Sequence, residues 1–565
     1  MFEKISAERK HLQSIGEVPN WYTTQGYIMF TRKYSYQEET VKGAFERISK
    51  HLAKFDPKPE AERRFFDLMW SGKLAPSTPV MSNVGTTRGM PVSCAGNYIG
   101  DSVENFYESN AEIAILSKHG FGTASYVGDI RPRGALINST GEAASGIVPV
   151  IDTYIDTKSK ISQGGRRGEW AAYVDISHDD YWEVQSYLQK HPADANVGWV
   201  FEEEDYEKLK NNDKEMLDRW DELLYTRCRT GKGYMWKNWI ANNLAPQPIK
   251  DSGIRIRSSQ LCTEIALPSD SEHTFTCILS SFNLSLWDEI TDEDIKWGVR
   301  FLDAVCSDFL EQAKGRKFME KAVRFTEKAR ALGLGTLGFH SYLQDKMIAF
   351  ESAEAHIINN QIYQRIWEVA LASSIELGKE LGIPEWCKST GQRNATLITI
   401  APNMTSALLC GGKSQGVEPI ICNAYVQQSN AGDLVRTNPK FVEIANSKGA
   451  FTSEDLNEIL NDLAINHNGS VQHLDWLSEH EKLVFRTAYE INQSAIIRLA
   501  SARQRYIDQA QSINLFFSAD EKESVIARVH KEFMDDTRLK SLYYLRSERG
   551  VKASTGESSC VACEG

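Results

Sequence analysis

Gln260-Leu-Cys-Thr-Glu264 sets a thiol and a carboxylate two residues apart in the middle of a 565-residue chain. On an extended segment Cys262 and Glu264 point to the same face. The pair suits a nucleophilic cysteine badly, because a neighbouring negative charge raises a thiol pKa. It suits chemistry in which the sulfur acts as a radical. From the pair alone, a buried cysteine beside a solvated glutamate is the simpler reading.

On both sides of this segment the chain alternates between about residues 76 and 530. Short apolar runs such as Thr396-Leu-Ile-Thr-Ile400 read as buried strands. Longer amphipathic stretches near 103–118, 147–162, 354–381 and 482–501 read as helices. The alternation predicts a mixed α/β architecture with covered sheets. The first 75 residues read as a helical region. Ser35-Tyr-Gln-Glu38 has the spacing of a capping box, and Val41, Ala44, Phe45, Ile48 and Leu52 share one helical face behind it. A short helix around Phe65, Phe66 and Met69 follows, until Leu74-Ala-Pro-Ser-Thr-Pro-Val80 breaks the pattern. No internal repeat of fixed period is present.

Composition narrows the function classes. With 41% hydrophobic and 25% charged residues, the chain is globular rather than disordered, collagenous or coiled-coil. A net charge of −12 argues against general nucleic-acid binding, though a local basic pocket for one nucleotide is compatible with it. No apolar run approaches the ~18 residues of a membrane span, and the N-terminus is too charged for a secretory signal. Ten cysteines are scattered at 94, 228, 262, 277, 306, 387, 410, 422, 560 and 563, which is no disulfide framework. The expectation is a cytoplasmic protein whose disulfides are transient.

Several smaller motifs are ambiguous one at a time. Gly333-Leu-Gly-Thr-Leu-Gly338 matches a dinucleotide-binding fingerprint, but it follows a charged, helix-like stretch where that motif needs a strand. A glycine-rich close-packing turn is the better reading. Cys560-Val-Ala-Cys563 ends a tail, residues 550–565, with no large apolar residue except Val551 and Val561. The pair is half a zinc site, a mobile redox dithiol, which is the stronger reading, or a tail pair with no role. Ala401-Pro-Asn-Met-Thr-Ser406 is either an anion-binding helix start or an ordinary N-cap. Tyr543-Tyr544 is an aromatic pair of the kind found in cores and interfaces.

In combination these segments resemble the large catalytic subunit of class I ribonucleotide reductases. The likeness runs from about Pro76 to the C-terminus. It rests on Pro91-Val-Ser-Cys94, Ser162-Gln-Gly-Gly-Arg-Arg-Gly168, Gln260 to Glu264, Cys277 with Asn283-Leu-Ser285, Pro402 to Ser406, Tyr543-Tyr544 and the Cys-x-x-Cys tail. The resemblance implies a ten-stranded α/β barrel of two parallel five-stranded halves over residues 76–530. Before it would lie the helical region 1–75. After it would come a segment 531–549 with the radical-transfer tyrosines and a redox tail 550–565.

The resemblance also implies roles. Cys262 would be the thiyl radical that abstracts the 3′ hydrogen of a ribonucleoside diphosphate, and Glu264 the base on the 3′ hydroxyl. Cys94 and Cys277 would reduce the 2′ position and become a disulfide. Cys560 and Cys563 would reopen it and be restored by a thioredoxin- or glutaredoxin-like protein. Thr78, Ser93, Pro402, Asn403, Met404, Thr405 and Ser406 would seat the substrate. Tyr543 and Tyr544 would carry the radical from a separate small subunit that holds the radical cofactor, no cofactor being bound in this chain. Asp101, Arg131 and Arg167 match the region that binds a nucleotide effector at a homodimer interface. No membrane or nucleic-acid partner is implied.

Two departures accompany the likeness. Gln260 stands where the family pattern has Asn, which puts its hydrogen bond to the sugar in question. Cys94 comes too early to leave room for both the helical region and an N-terminal ATP cone, so control of overall activity is expected to be absent or to sit on the partner. The rival readings are a non-catalytic nucleotide-binding paralogue, a nicotinamide-dependent oxidoreductase built on Gly333 to Gly338, and a cobalamin-dependent reductase needing no partner.

Overall fold

The computed structural model describes residues 2–163, 166–427, 434–448 and 452–547. Its strands are β1 (Leu74–Pro76), β2 (Cys94–Tyr98), β3 (Gly122–Tyr126), β4 (Ser162–Gln163), β5 (Arg166–Arg167), β6 (Trp170–Asp175), β7 (Val197–Phe201), β8 (Tyr234–Lys237), β9 (Phe275–Asn283), β10 (Leu332–Leu337), β11 (Ala424–Gln427), β12 (Leu434–Thr437), β13 (Leu515–Phe517), β14 (Ser541–Leu542) and β15 (Leu545–Ser547).

β2, β3, β6, β7 and β8 form five consecutive parallel strands, each joined to the next by a helical crossover. A second set begins with the parallel pair β9–β10. The two sets meet antiparallel at one seam, where β2 pairs β9, and at the other, where β14 pairs β8. Between the seams, single parallel bridges link Leu334 to Ile398 and Ile400 to Gln511, and Tyr543 N donates to Ile513 O at 2.8 Å. The sheet thus closes on itself as a barrel.

The expected strand at Thr396–Ile400 is extended but has no continuous ladder. The reason is local: Leu397 N and Ile398 N donate to the buried Asp508 carboxylate, at 2.7 and 2.9 Å, instead of to a strand.

Alternation along the strands separates two cores. On β6, Ala171 and Tyr173 enter the barrel interior while Trp170, Ala172 and Val174 face the outer helices. β8 sends Tyr234 and Trp236 inward and Met235 outward, and β9 sends Phe275, Cys277 and Leu279 inward. Both faces are buried, which is why these strands read as near-continuous apolar runs.

The N-terminal region is helical as expected, with Val41, Ala44, Phe45, Ile48 and Leu52 all buried on helix Val41–Leu52. Its cap is Thr40, which accepts from Gly43 N, rather than Ser35. Gln37 and Glu38 turn through positive φ, so the chain cannot enter the helix at Ser35. The stretch 482–501 divides into helices Glu479–Val484 and Gln493–Gln504. Gly333 to Gly338 is neither a nucleotide loop nor a turn: its first five residues lie in β10, parallel to β9. The glycines permit close strand approach, because a Cβ on Gly333 would meet Leu279 and Thr399 at 2.3 and 2.5 Å.

Residues 424–485 carry a small core of their own, including Phe441, Leu460, Leu463, Val471 and Phe485. Among the described residues no helix is long and apolar enough to cross a membrane.

Candidate active site

Cys94 opens β2, Cys277 lies in β9, and the antiparallel register places them directly opposite each other. Both belong to the barrel's inner core. Opposed residues in such a ladder have Cβ atoms roughly 4.5–5.5 Å apart. A disulfide requires about 3.5–4.5 Å, so a small approach closes the bond.

Cys262 enters the same inner core on a loop, 254–274, that crosses the barrel without regular secondary structure. Its segment is a tight turn rather than an extended stretch, with Thr263 at φ +68°. Gln260 holds the turn: its Oε1 accepts from Cys262 N at 2.5 Å and Thr263 N at 2.8 Å. The same amide donates through Nε2 to Cys94 Sγ at 3.6 Å. With one methylene more than Asn, the amide folds back on its own turn and still reaches Cys94. Tyr173 OH braces the Gln260 carbonyl at 2.6 Å, and Ala510 N and Thr399 Oγ1 both donate to Glu264 O. The loop's position is therefore fixed from three separate strands or strand-like segments.

Glu264 is fully buried, and loss of solvation pushes its carboxyl up to about 8. Its Oε2 has no hydrogen-bond partner among the described residues. A buried oxygen with an open lone pair is ready to receive a hydroxyl proton from a bound molecule. Burial, with the nearby Cys94 and Glu264 charges adding, pushes the Cys277 thiol well above its ordinary range. Cys277 therefore stays a protonated thiol, a hydrogen donor rather than a thiolate nucleophile.

Two further hydroxyls are buried and unpartnered among the described residues, Ser93 Oγ and Ser77 Oγ. Ser93 immediately precedes Cys94. Ser77, which the sequence reading passed over for its neighbour, lies against β9, where Ser77 N meets Ser280 Oγ at 3.4 Å. Thr78 is half-buried and pairs with Tyr34 OH at 3.1 Å, tying the helical region to this wall. Pro402, Thr405 and Ser406 are buried and Met404 is half-buried where helix Met404–Leu409 begins. Asn403 adopts the left-handed conformation, and its amide is taken up by Ser281 Oγ, Thr336 O and Ala401 O. Asn403 thus braces the loop from within the scaffold.

Tyr543 is buried in the inner core that contains Cys262, while Tyr544 is partly exposed. Their rings lie 4.0 Å apart at 47°. A third ring, Tyr234 on β8, lies 4.8 Å from Tyr543 and 5.4 Å from Tyr544, with its hydroxyl 3.1 Å from that of Tyr544. No local signal in Gly233-Tyr-Met-Trp-Lys237 marks Tyr234; only strand pairing brings it here. Asp101 and Arg131 are joined by an ion pair at 2.6 Å, Arg131 Nη1 also donates to Leu136 O at 3.3 Å, and Val103, Tyr107 and Leu136 are exposed. The Arg167 side chain, Cys560 and Cys563 lie outside the described residues.

The geometry agrees with what the chain is similar to. The family model for the ribonucleotide reductase barrel domain matches residues 92–191, 185–389 and 383–553, and that for the ribonucleotide reductase all-alpha domain matches 20–89. The ribonucleoside-diphosphate reductase large subunit of Invertebrate iridescent virus 3 is 30% identical, covering 94% of this chain and 97% of its own. A protein of Frog virus 3 described as a putative ribonucleoside-diphosphate reductase large subunit is 32% identical over 90% of this chain and 93% of its own. The solved class Id ribonucleotide reductase alpha subunit of Actinobacillus ureae superposes with a TM-score of 0.86 at 34% identity, covering 95% of this chain and 99% of that one. With a dithiol set face to face across β2 and β9 and a third cysteine sharing their inner core with Tyr543, the chain belongs to the ribonucleotide reductase large-subunit family and is a ribonucleotide-reducing enzyme.

Proposed function

We propose that the chain reduces ribonucleoside diphosphates by a thiyl-radical mechanism, with the radical delivered by a separate small subunit. The observation that carries this reading is the opposition of Cys94 and Cys277 with Gln260 bonding both Cys94 and the turn of Cys262. The Cys262 radical takes the 3′ hydrogen while Glu264 takes the 3′ hydroxyl proton. The 2′ hydroxyl leaves as water, using a proton from the cysteine pair. Cys94 and Cys277 supply two electrons and two protons in all and become a disulfide. Return of the 3′ hydrogen from Cys262 and of the 3′ hydroxyl proton from Glu264 regenerates the Cys262 radical and the base, so one substrate and one dithiol give one deoxynucleotide, one water and one disulfide.

Support for substrate seating comes from the buried, unpartnered Ser93 and Ser77 hydroxyls and from the buried Thr405 and Ser406 at the start of helix Met404–Leu409. Thr78 and the loop Pro402, Asn403 and Met404 complete that wall. Support for a partner comes from the Tyr543–Tyr544 stack, which runs from buried to partly exposed. The partner's cofactor supplies the oxidising equivalent; this chain's tyrosines only relay it. Asp101, Arg131 and Arg167 bind a nucleotide effector at a homodimer interface, a reading supported by the Asp101–Arg131 pair and by the exposed apolar Val103, Tyr107 and Leu136, near it in the chain.

Cys560 and Cys563 pass electrons from a thioredoxin- or glutaredoxin-like protein to the spent disulfide. Replacing both by serine leaves about one turnover per pre-reduced site, with slow recovery by a small dithiol; sustained turnover on the protein reductant alone would remove the tail from the mechanism. The central test mixes the chain with a radical-generating small subunit and measures deoxynucleoside diphosphate formation. Activity without any partner would overturn the relay and favour a cobalamin-dependent reductase.

A further inference from the structure

The module at 424–485 has a feature that nucleotide reduction does not use. Helix Ser453–Asn466 ends at His467, and the loop beyond it returns His473 to the same place. The two imidazole rings stack at 3.6 Å and 16°. Both Nε2 atoms approach one oxygen of Asp462, at 3.3 and 3.9 Å. One ligand atom from each of the three side chains lies within 4.8 Å of the others. The second Asp462 oxygen is held by Asn466 Nδ2 at 2.7 Å, which orients the carboxylate.

One divalent cation can be bound by both imidazoles and by the carboxylate together once one ring turns out of the stack, since the three ligand atoms already lie within 4.8 Å of one another. Two nitrogens and one carboxylate oxygen form a donor set for zinc and its neighbours in the first transition row rather than for calcium or magnesium. We propose that Asp462, His467 and His473 bind one such ion, with water completing its coordination, and that the ion clamps the loop 467–473.

The loop has a partner that gives the clamp a consequence. Gly469 N bonds Leu463 O at 2.7 Å, and Gly469 O accepts from both Asn423 N and Asn423 Nδ2, at 3.1 and 3.2 Å. Asn438 N in turn donates to Asn423 O at 2.8 Å. Asn423 and Asn438 flank the β11–β12 hairpin, so a fixed loop fixes the base of that hairpin. Gly469 is required at this point: its φ is +77°, and a Cβ would meet Cys422 at 2.6 Å. None of the residues placed at the reaction centre belongs to this module's core, so the site can be tested apart from catalysis.

The test uses the full chain with Cys560→Ser and Cys563→Ser, which removes the tail thiols as rival ligands. Cobalt(II) serves as the optical probe on the metal-free protein. The expected result is one equivalent bound, with ligand-field bands, no thiolate charge-transfer band, and displacement by zinc. His467→Ala and His473→Ala, both partly exposed, should retain the circular dichroism of the parent and lose the bands. Asn466→Ala should weaken binding by about 10–100-fold, the usual effect of removing a group that orients a ligand. Zinc should slow amide exchange at 467–473 and at Asn423 in the parent and not in His473→Ala. Absence of cobalt bands under excess metal, a thiolate band, or unchanged binding in both histidine variants would overturn the site.

Discussion

Cys94 and Cys277 are cross-strand partners at the antiparallel seam between the two halves of the barrel. Oxidation needs only the small approach of two side chains already opposed. One round of substrate reduction without an external reductant should therefore produce a Cys94–Cys277 disulfide. Peptide mapping of the alkylated, non-reduced protein checks this, and any other dominant pairing among the barrel cysteines contradicts the assignment.

Gln260 satisfies two buried N–H groups and contacts a thiol at once. Gln260→Ala leaves Cys262 N without that acceptor, while Thr263 N keeps the Gln260 carbonyl at 3.2 Å, at a cost of about 1–3 kcal/mol for the buried N–H left unmade. The expected outcome is a lower denaturation midpoint together with a loss of kcat. Unchanged stability would mean that water or another side chain takes over the turn.

Glu264 titrates far above an ordinary carboxyl because it is buried. As the base it must be ionised, so kcat/KM should rise with pH to a midpoint near 8 in the unliganded enzyme. Stability should move the opposite way. The folded chain holds this proton where the unfolded chain has lost it, so Glu264's contribution falls as pH rises from the unfolded value of about 4.5 to about 8. Glu264→Gln should remove that fall while slowing turnover by about 10²–10⁴. A pH-rate profile and denaturant melts at pH 5 and pH 8 provide the comparison.

Cys262→Ser should fold and bind nucleotide yet have no turnover, since an O–H bond is too strong to yield a comparable radical. Tyr543→Phe and Tyr544→Phe should each abolish activity with nucleotide binding intact, because Phe retains the stack but has no phenolic hydrogen. Tyr234→Phe removes the hydroxyl 3.1 Å from that of Tyr544 and should reduce activity only in part. Wild-type rates in both Tyr543→Phe and Tyr544→Phe would make the pair structural aromatics.

Gly333→Ala should destabilise the barrel by about 1–3 kcal/mol, the usual cost of overpacking, because Leu279 and Thr399 stand where the methyl group would go. The segment should show no saturable nicotinamide binding, since Leu332–Leu337 is an internal strand. Saturable binding there would reopen the dinucleotide reading.

The α/β class, the helical N-terminal region and the chemistry-bearing residue types are legible in the chain before it folds. Periodicity is a local property, and thiols, carboxylates and paired tyrosines can be read without coordinates. Val41 to Leu52 and the helices at 103–118 and 353–381 were legible for that reason. Tertiary structure decided what depends on distant neighbours. It put Gly333 to Leu337, expected as a close-packing turn, into β10, because the approach of β9 and the 396–400 segment leaves no space for side chains on the glycines. It made Cys262 to Glu264 a tight turn, because Gln260 accepts from two successive N–H groups. It added Ser77 and Tyr234, which stand out only once β9 and the 541–547 segment pack beside them. And it set the Glu264 pKa, since desolvation belongs to the closed barrel and not to any stretch of chain.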